Sequence, residues 1–517
     1  MQEAATTVPQ KATAREWIGL AVLALPCLIY SMDLTVLNLA VPQLSEDLQP
    51  SITQTLWIMD IYGFFVAGSL ITMGTLGDRI GRRKMLLIGA FCFGLFSLLA
   101  AFAPTAETLI VARALQGISA ASLSPSTLSL IRNMFLDDRQ RTFAIGVWIA
   151  AFSAGGAIGP LVGGAVLEHF WWGAVFIINV PIMLLLLAVG PILLPEYKDP
   201  DAGKLDILSA AQSVTGVLGI IFALKHIAAV GFDLLAAASL ALGIVVAILF
   251  VRRQRRLAEP LIDVSLFEVP AVRSSLVVNM AGIFVLFGGF FFVAQYLQLA
   301  AGMGPLEAGL WLAPSGAIFA VGSLVTPAIV HRFRPSTIIS IGFALTGLGF
   351  LVMTSIDYGG AWSVLAGLIL FSTGFAPIAT LTTDIVMTAV PPERAGQASG
   401  VSETSFEFGG ATGIAVLGTI FIAVYRTLLD PLPQGLPAGA EERLRETLGG
   451  AFEIAPALPE PQSTELLALA SQSFTHALAV TCSVSTVIAI GIAIFAATAL
   501  RGPHDLSGRE REAAQAA

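Results

Sequence analysis

Four carboxylates stand inside long apolar stretches of this chain: Asp33, Asp60, Glu403 and Glu407. A charge at the centre of a bilayer costs roughly 2.5–3.5 kcal/mol even on the lenient insertion scale. Such groups are expected to face one shared, water-reachable chamber, where acids bind protons or cations. Glu403 and Glu407 are four apart and so share one helix face. Two carboxylates that close in a low dielectric resist double ionisation, so the pair can hold a proton that an arriving cation displaces. Asp33 and Asp60 fall in the outer halves of their segments, and Asp384 lies about two turns from the inner end of its own, a lesser candidate for the same role. Trp57, Tyr62, Trp148, Trp311, Phe406 and Phe408 are near enough in sequence to offer aromatic faces to a bound cation. No phosphate-cradling G-x-x-x-x-G-K-[ST] run occurs, so energy is expected from an ion gradient and no cofactor is implied.

Other chemistries fit poorly. The five histidines (169, 226, 331, 476, 504) are dispersed, against a membrane enzyme with clustered catalytic groups. Cys27, Cys92 and Cys482 are odd in number and scattered in apolar sequence, against a disulfide framework or a metal site, and are expected to be buried small hydrophobes. A passive channel is a further reading, distinguished by transport that ignores a pH gradient.

Long apolar elements must position these acids. Of 517 residues, 56% are hydrophobic and 12% charged, which excludes one large soluble core. Fourteen apolar spans can be drawn, each long enough to cross about 30 Å of hydrocarbon: 17–41, 54–76, 84–103, 106–131, 142–166, 171–194, 205–228, 232–251, 271–299, 306–330, 336–355, 361–390, 396–425 and 473–500. With the N-terminus inside, 22 of the 27 Lys and Arg fall in cytoplasmic segments, among them Arg79–Lys84, Lys198, Lys204, Arg252–Arg256, Arg501, Arg509 and Arg511; Lys225, Arg426, Arg443 and Arg445 fall outside, and Arg113 inside a span. That bias predicts both termini cytoplasmic. The first span is too long for a cleavable signal peptide and lacks a small-residue cleavage site. Residues 1–16 and 501–517 read as cytoplasmic tails, 252–270 as a basic linker, and 426–472 as an outer loop in which 438–448 could form a short amphipathic helix or hairpin, the loop being either charged and solvated or a lid.

The loop after span 2 reads Gly77-Asp78-Arg79-Ile80-Gly81-Arg82-Arg83-Lys84, with glycines at 77 and 81 suited to a tight turn. It resembles the signature of the major facilitator superfamily nearly residue for residue, and the resemblance implies that Gly77, Asp78, Arg79, Gly81 and Arg82 form a charge latch governing opening and closing. Leu109-x-x-x-Arg113-x-x-Gln116-Gly117 is similar to a second motif of that family, which implies that Arg113 pairs with a carboxylate and tunes proton transfer. Gly155, Gly156, Gly159, Pro160, Gly163 and Gly164 could serve plain helix packing; they also resemble the motif of antiporter branches, which implies export. His331-Arg332-Phe333-Arg334 holds the matching place in the second half but lacks the Gly-x-x-x-Asp frame, so the latch is expected in the first half only.

Met32-Asp33 onward, Trp57-Ile-Met-Asp60 and the run Trp172–Pro181 with Asn179 make the whole chain similar to the fourteen-span drug:proton antiporters, among them quaternary-ammonium and dye exporters. The resemblance implies an all-α fold of two six-helix bundles, 17–194 and 271–500, with 205–251 inserted as two further helices. It implies proton-coupled efflux of lipophilic cations by alternating access, in the cell membrane. Expected partners are small lipophilic cations, protons and lipids, with no nucleic acid, and the chain is expected to act as a monomer. The alternative within transport is export of an endogenous lipid or an uncharged natural product, the acids then serving protons alone.

Overall fold

The structure is a computed structural model that describes residues 11–50, 52–199, 205–229, 231–257, 259–330, 332–430, 432, 440–446 and 448–499. Lys204, His331, Arg501, His504, Arg509, Arg511 and residues 1–10 of the N-terminal tail lie outside the described residues, as do the side chains of Pro160 and Arg443.

Every regular element among the described residues is helical. The first half comprises α1 (Ala14–Leu48), α2 (Ile52–Ile80), α3 (Arg82–Ala101), α4 (Ala106–Met134), α5 (Asp138–His169), α6 (Ala174–Ile177) and α7 (Asn179–Leu193); an antiparallel pair follows, α8 (Ile207–Ala229) and α9 (Leu234–Gln254). The second half comprises α10 (Pro270–Gln295), α11 (Pro305–Val330), α12 (Pro335–Met353), α13 (Ile356–Thr388), α14 (Ala395–Leu428), the short α15 (Ala440–Glu446) and α16 (Leu448–Ile454), and α17 (Gln462–Ala499). Helix starts follow local chemistry: the side chains of Thr13, Thr105, Asp137 and Asp233 each accept from a first-turn amide.

Twelve of these helices, α6 and α7 counted together, are long and apolar enough to cross a membrane, and a thirteenth joins them if the bent pair Asp138–Gly156 and Leu161–His169, at 41°, is one span. The protein is therefore a multi-pass membrane protein. Fourteen spans were expected. The difference lies in α4, whose 29 residues include Arg113, Gln116 and the buried Ser119, Ser122, Ser124, Ser126 and Ser129. Packed among α1, α2, α3 and α14, α4 is shielded by protein and can be polar without contacting lipid.

Two large apolar cores form: the first is built mainly from the first half and runs across the seam to Leu276, Met387, Val390, Ala395 and Val401, and the second lies within the second half. A third, small cluster of Phe64, Ala67, Val217, Ile221 and Ala411 joins α2, α8 and α14, so the inserted pair is docked on both halves through α8. Three local expectations change. The turn after α2 does not use Gly77, which remains helical beside Met85 and Ser126; only Gly81, at φ +108°, breaks the chain, and a side chain there would strike the Glu196 carboxylate. Residues 440–446 of the 438–448 segment form α15, and with α16 they bury Leu444, Leu448 and Ala451 on the second core instead of forming a solvated loop; 438, 439 and 447 lie outside the described residues. Cys27 and Cys92 also part company, since Cys27 is buried and Cys92 half-buried.

Candidate functional site

Asp33 lies buried on α1, held there by the glycine face of α5. A methyl group on Gly155 would sit 2.2 Å from the Leu28 carbonyl oxygen, and one on Gly159 would sit 2.1 Å from the Thr35 hydroxyl, while Gly163 abuts Val36. The α5 backbone thus lies against α1 on both sides of Asp33, meeting backbone at Leu28 and Met32 and side chains at Thr35 and Val36, as glycines four apart allow. Gly164 faces open space and takes no part in this contact. The bend of α5 falls between Gly156 and Leu161, the stretch that contains Pro160.

Arg113 of α4 forms a buried ion pair with Asp33 and also donates to Gln116, at 3.1 Å. Asn179 donates to the other Asp33 oxygen at 3.1 Å, and Gln116 donates to Ser97 at 2.8 Å. The guanidinium lies 4.5 Å from the Tyr62 ring centroid and 5.6 Å from that of Phe176. Taking one partner from such a pair strands a charge away from water. Three buried polar atoms here, Arg113 Nε, Asn179 Oδ1 and Tyr62 Oη, have no partner among the described residues. They suit a hydrated path.

Glu403 and Glu407 occupy the face of α14 that looks into the seam between the halves. Tyr30 of α1 donates to Glu407 Oε1 at 3.3 Å, and Ser124 of α4 lies beside Glu403. Around Glu407 gather the electrostatic influences of Tyr30, Tyr62 and Lys225. Among the described residues no hydrogen bond or ion pair joins Asp33 to either glutamate; Tyr62 feels both Asp33 and Glu407, and its ring is 6.2 Å from that of Tyr30. The acids form separate stations linked by two tyrosines.

Asp60 is half-buried on α2 and pairs with Lys225 of α8 at 2.5 Å. The sequence put Lys225 among the outer charges and missed it as a site residue; its one signal was a lone lysine in an apolar span whose only acid, Asp206, stands at the opposite end. Of the aromatic candidates, Trp57 stacks on Phe222 beside this pair, at 6.2 Å. Phe406 packs edge-on to Phe287 within the second half. Tyr62 and Trp148 are buried in the first core, Trp148 donating to Thr127 at 2.9 Å, and Trp311 packs on Trp362, which is itself largely exposed.

The arginine-rich end of the bundle is shut. Asp78 accepts from the amides of Gly396 and Gln397, at 3.0 and 2.9 Å, at the start of α14. Arg82, paired with Asp78 at 2.7 Å, donates to the carbonyls of Pro392 and Glu393. Arg132 donates to the Met387 carbonyl at 3.1 Å. Gly74 leaves no room for a methyl group against the Gly396 carbonyl, nor Gly146 against that of Ser323. Arg79 stands apart from this seam, facing Glu259, Asp199 and Asp206. Asp384, the lesser candidate for a proton or cation site, takes part in this closure: Arg141 donates to it at 3.1 Å and Thr142 at 2.7 Å, both from α5.

Two helical halves meeting along a seam, with charged contacts closing one end, define a membrane transporter and not an enzyme. Residues 23–207 and 205–414 match the Major Facilitator Superfamily, and the chain belongs to it. It is 43% identical over 488 residues to the multidrug efflux pump LfrA of Mycolicibacterium smegmatis, covering 94% of this chain and 97% of that one. It is 34% identical to the methyl viologen resistance protein SmvA of Salmonella typhimurium, covering 93% and 98%. A solved structure, the human organic anion transporter MFSD10, superposes with a TM-score of 0.61 at 15% identity, covering 92% of this chain and 99% of that one; this likeness concerns the fold alone.

Proposed function

We propose that the protein is a proton-coupled multidrug exporter of lipophilic cations, working by alternating access in the cell membrane as a monomer. It would have fourteen spans, counting α4 and the bent α5, two six-helix bundles (17–194 and 271–500) around the inserted pair 205–251, and both termini cytoplasmic. The observation that carries this reading is the seam acid Glu407, reached from α1 by Tyr30 and electrostatically by Tyr62 and Lys225. An acid so placed can be addressed by both halves. The names of the relatives, a multidrug efflux pump and a methyl viologen resistance protein, support efflux of cationic compounds.

In this reading the arginine-rich end is cytoplasmic and the closed latch marks the outward-open stage of the cycle. Protons entering from outside neutralise Glu403 and Glu407 and release the cation. Protonation weakens the charge that the seam would otherwise hold, so the halves can rock and open the latch of Asp78, Arg82, Arg141 and Asp384. Protons then leave to the cytoplasm, and a new cation is held by the freed carboxylates. Asp33 and Arg113 tune the exchange through Tyr62. Moving one charge through the potential is worth about 2.3 kcal/mol per 100 mV, so exchanging at least one proton per cation can drive export.

The test is the purified protein in liposomes with an imposed pH gradient and a panel of monovalent, divalent and neutral substrates. Gradient-driven transport of cations, lost in Glu407→Gln, is expected. Rates independent of cargo charge would favour the neutral-product reading, and rates independent of the gradient would refute proton coupling.

A further inference from the structure

Lys225 is the only lysine or arginine of α8, in the part of the chain that a two-bundle transporter does not need for its seam. Its ammonium lies 2.5 Å from Asp60 Oδ1 and 4.8 Å from the centroid of the Phe64 ring. It also acts electrostatically on Glu407. Trp57 and Phe222 stack beside it, and Phe408 of α14 packs on the same small cluster. Carboxylates flanked by aromatic faces make a site for an organic cation. Here the cation present belongs to the protein.

A structural staple is a poor account of this pair. The two side chains are 33% and 42% exposed. Pairs so exposed contribute little to stability. α8 is already docked on α2 and α14 by Val217 and Ile221. A lysine head is a compact charge on a flexible stem, able to swing toward water when displaced.

We propose that Lys225 is a tethered surrogate for the cargo: its ammonium fills a cation subsite formed by Asp60, Phe64 and the Glu407 side of the seam, and yields it when an organic cation enters. The inference rests on the cationic-cargo reading and adds a role for the inserted helices. The tether keeps the empty site neutralised and raises the threshold for entry. It disfavours cargo in proportion to the charge that the cargo places near Asp60, and leaves neutral compounds alone.

The experiment measures equilibrium binding of tetraphenylphosphonium and methyl viologen to the full-length protein in nanodiscs, for wild type, Lys225→Met and Lys225→Arg. Loss of the competing charge should tighten tetraphenylphosphonium binding about three- to tenfold, allowing for partial solvent screening, and methyl viologen binding by more; the arginine variant should stay near wild type. A second measurement protects against a folding defect: in the wild-type protein, saturating tetraphenylphosphonium should speed acylation of Lys225 by an amine-reactive ester, as the ammonium leaves its carboxylate. Unchanged or weaker binding in a stable Lys225→Met protein, or labelling indifferent to the cation, overturns the proposal while leaving cation export standing. If the wild-type protein binds neither cation, the cargo reading fails and the surrogate role falls with it.

Discussion

The Asp384 contact separates two roles that the sequence could not distinguish, a proton site and a conformational lock. Asp384 and Arg141 have side chains only 4% and 3% exposed, and they come from opposite halves of the molecule. When the halves part at this end, both charges return to water, so the pair favours the closed form alone. In Asp384→Asn the hydrogen bond from Thr142 can persist, and Arg141 keeps Asp138, an exposed partner at 2.8 Å. Breaking a buried pair typically costs 3–5 kcal/mol; with those residual partners about 2 kcal/mol remains, a shift of roughly 30-fold toward the form open at the arginine-rich end. A probe is at hand in Met387, whose side chain is fully buried beside the same seam. With Cys27, Cys92 and Cys482 replaced by serine, a cysteine introduced by Met387→Cys should react with maleimide from that end about 30-fold faster in the Asp384→Asn background. Transport should retain its dependence on the pH gradient, because no proton carrier is lost. A labelling rate within about threefold of the parent, or loss of gradient dependence with normal labelling, would refute the lock and return Asp384 to the proton-coupling acids.

Three further outcomes follow from the same geometry. Asp33→Asn strands the buried Arg113 and should lower stability by about 3–5 kcal/mol in thermal melts, with most of it recovered in the double variant Asp33→Asn/Arg113→Gln, whose transport driven by a proton gradient should be slowed without being lost. Gly155→Ala drives a methyl group into the Leu28 carbonyl and should cost about 1–3 kcal/mol, whereas Gly164→Ala, facing open space, should stay within about 0.5 kcal/mol; the same melts compare them. Tyr30→Phe removes the hydrogen bond to Glu407 across the seam while sparing the ring; a single-turnover proton-release assay should show slower exchange, and an unchanged rate would remove Tyr30 from the path.

The helical architecture was legible because lipid imposes it. A backbone in hydrocarbon must satisfy its own polar groups, so length and apolarity alone reveal most spans. The same reasoning made α4 look ordinary when, beyond Arg113, its buried surface carries a row of serines. Individual acids were legible for a related reason, since each stood out against an apolar background. Their grouping was not. Asp33 and Arg113 are 80 positions apart, Asp60 and Lys225 are 165 apart, and Arg141 and Asp384 are 243 apart. No helical period reports which faces meet across such separations. The sequence therefore suggested one chamber, and folding sorted the carboxylates by the cation each one found.

That sorting has a mechanistic consequence. Asp33, Asp60 and Asp384 each have a basic partner from another helix, and Asp78 has Arg82; among the described residues, Glu403 and Glu407 have no salt bridge. A carboxylate already matched by a guanidinium or ammonium gains little from a proton or a cargo cation until that partner moves. The two glutamates can respond to either without first breaking a pair. Their place at the seam then matters as much as their chemistry, because a change of charge there is felt by α1 through Tyr30 and by α8 through Lys225. In the proposed exchange, the paired acids would set the resting geometry and the unpaired ones would be where an ion gradient acts on it.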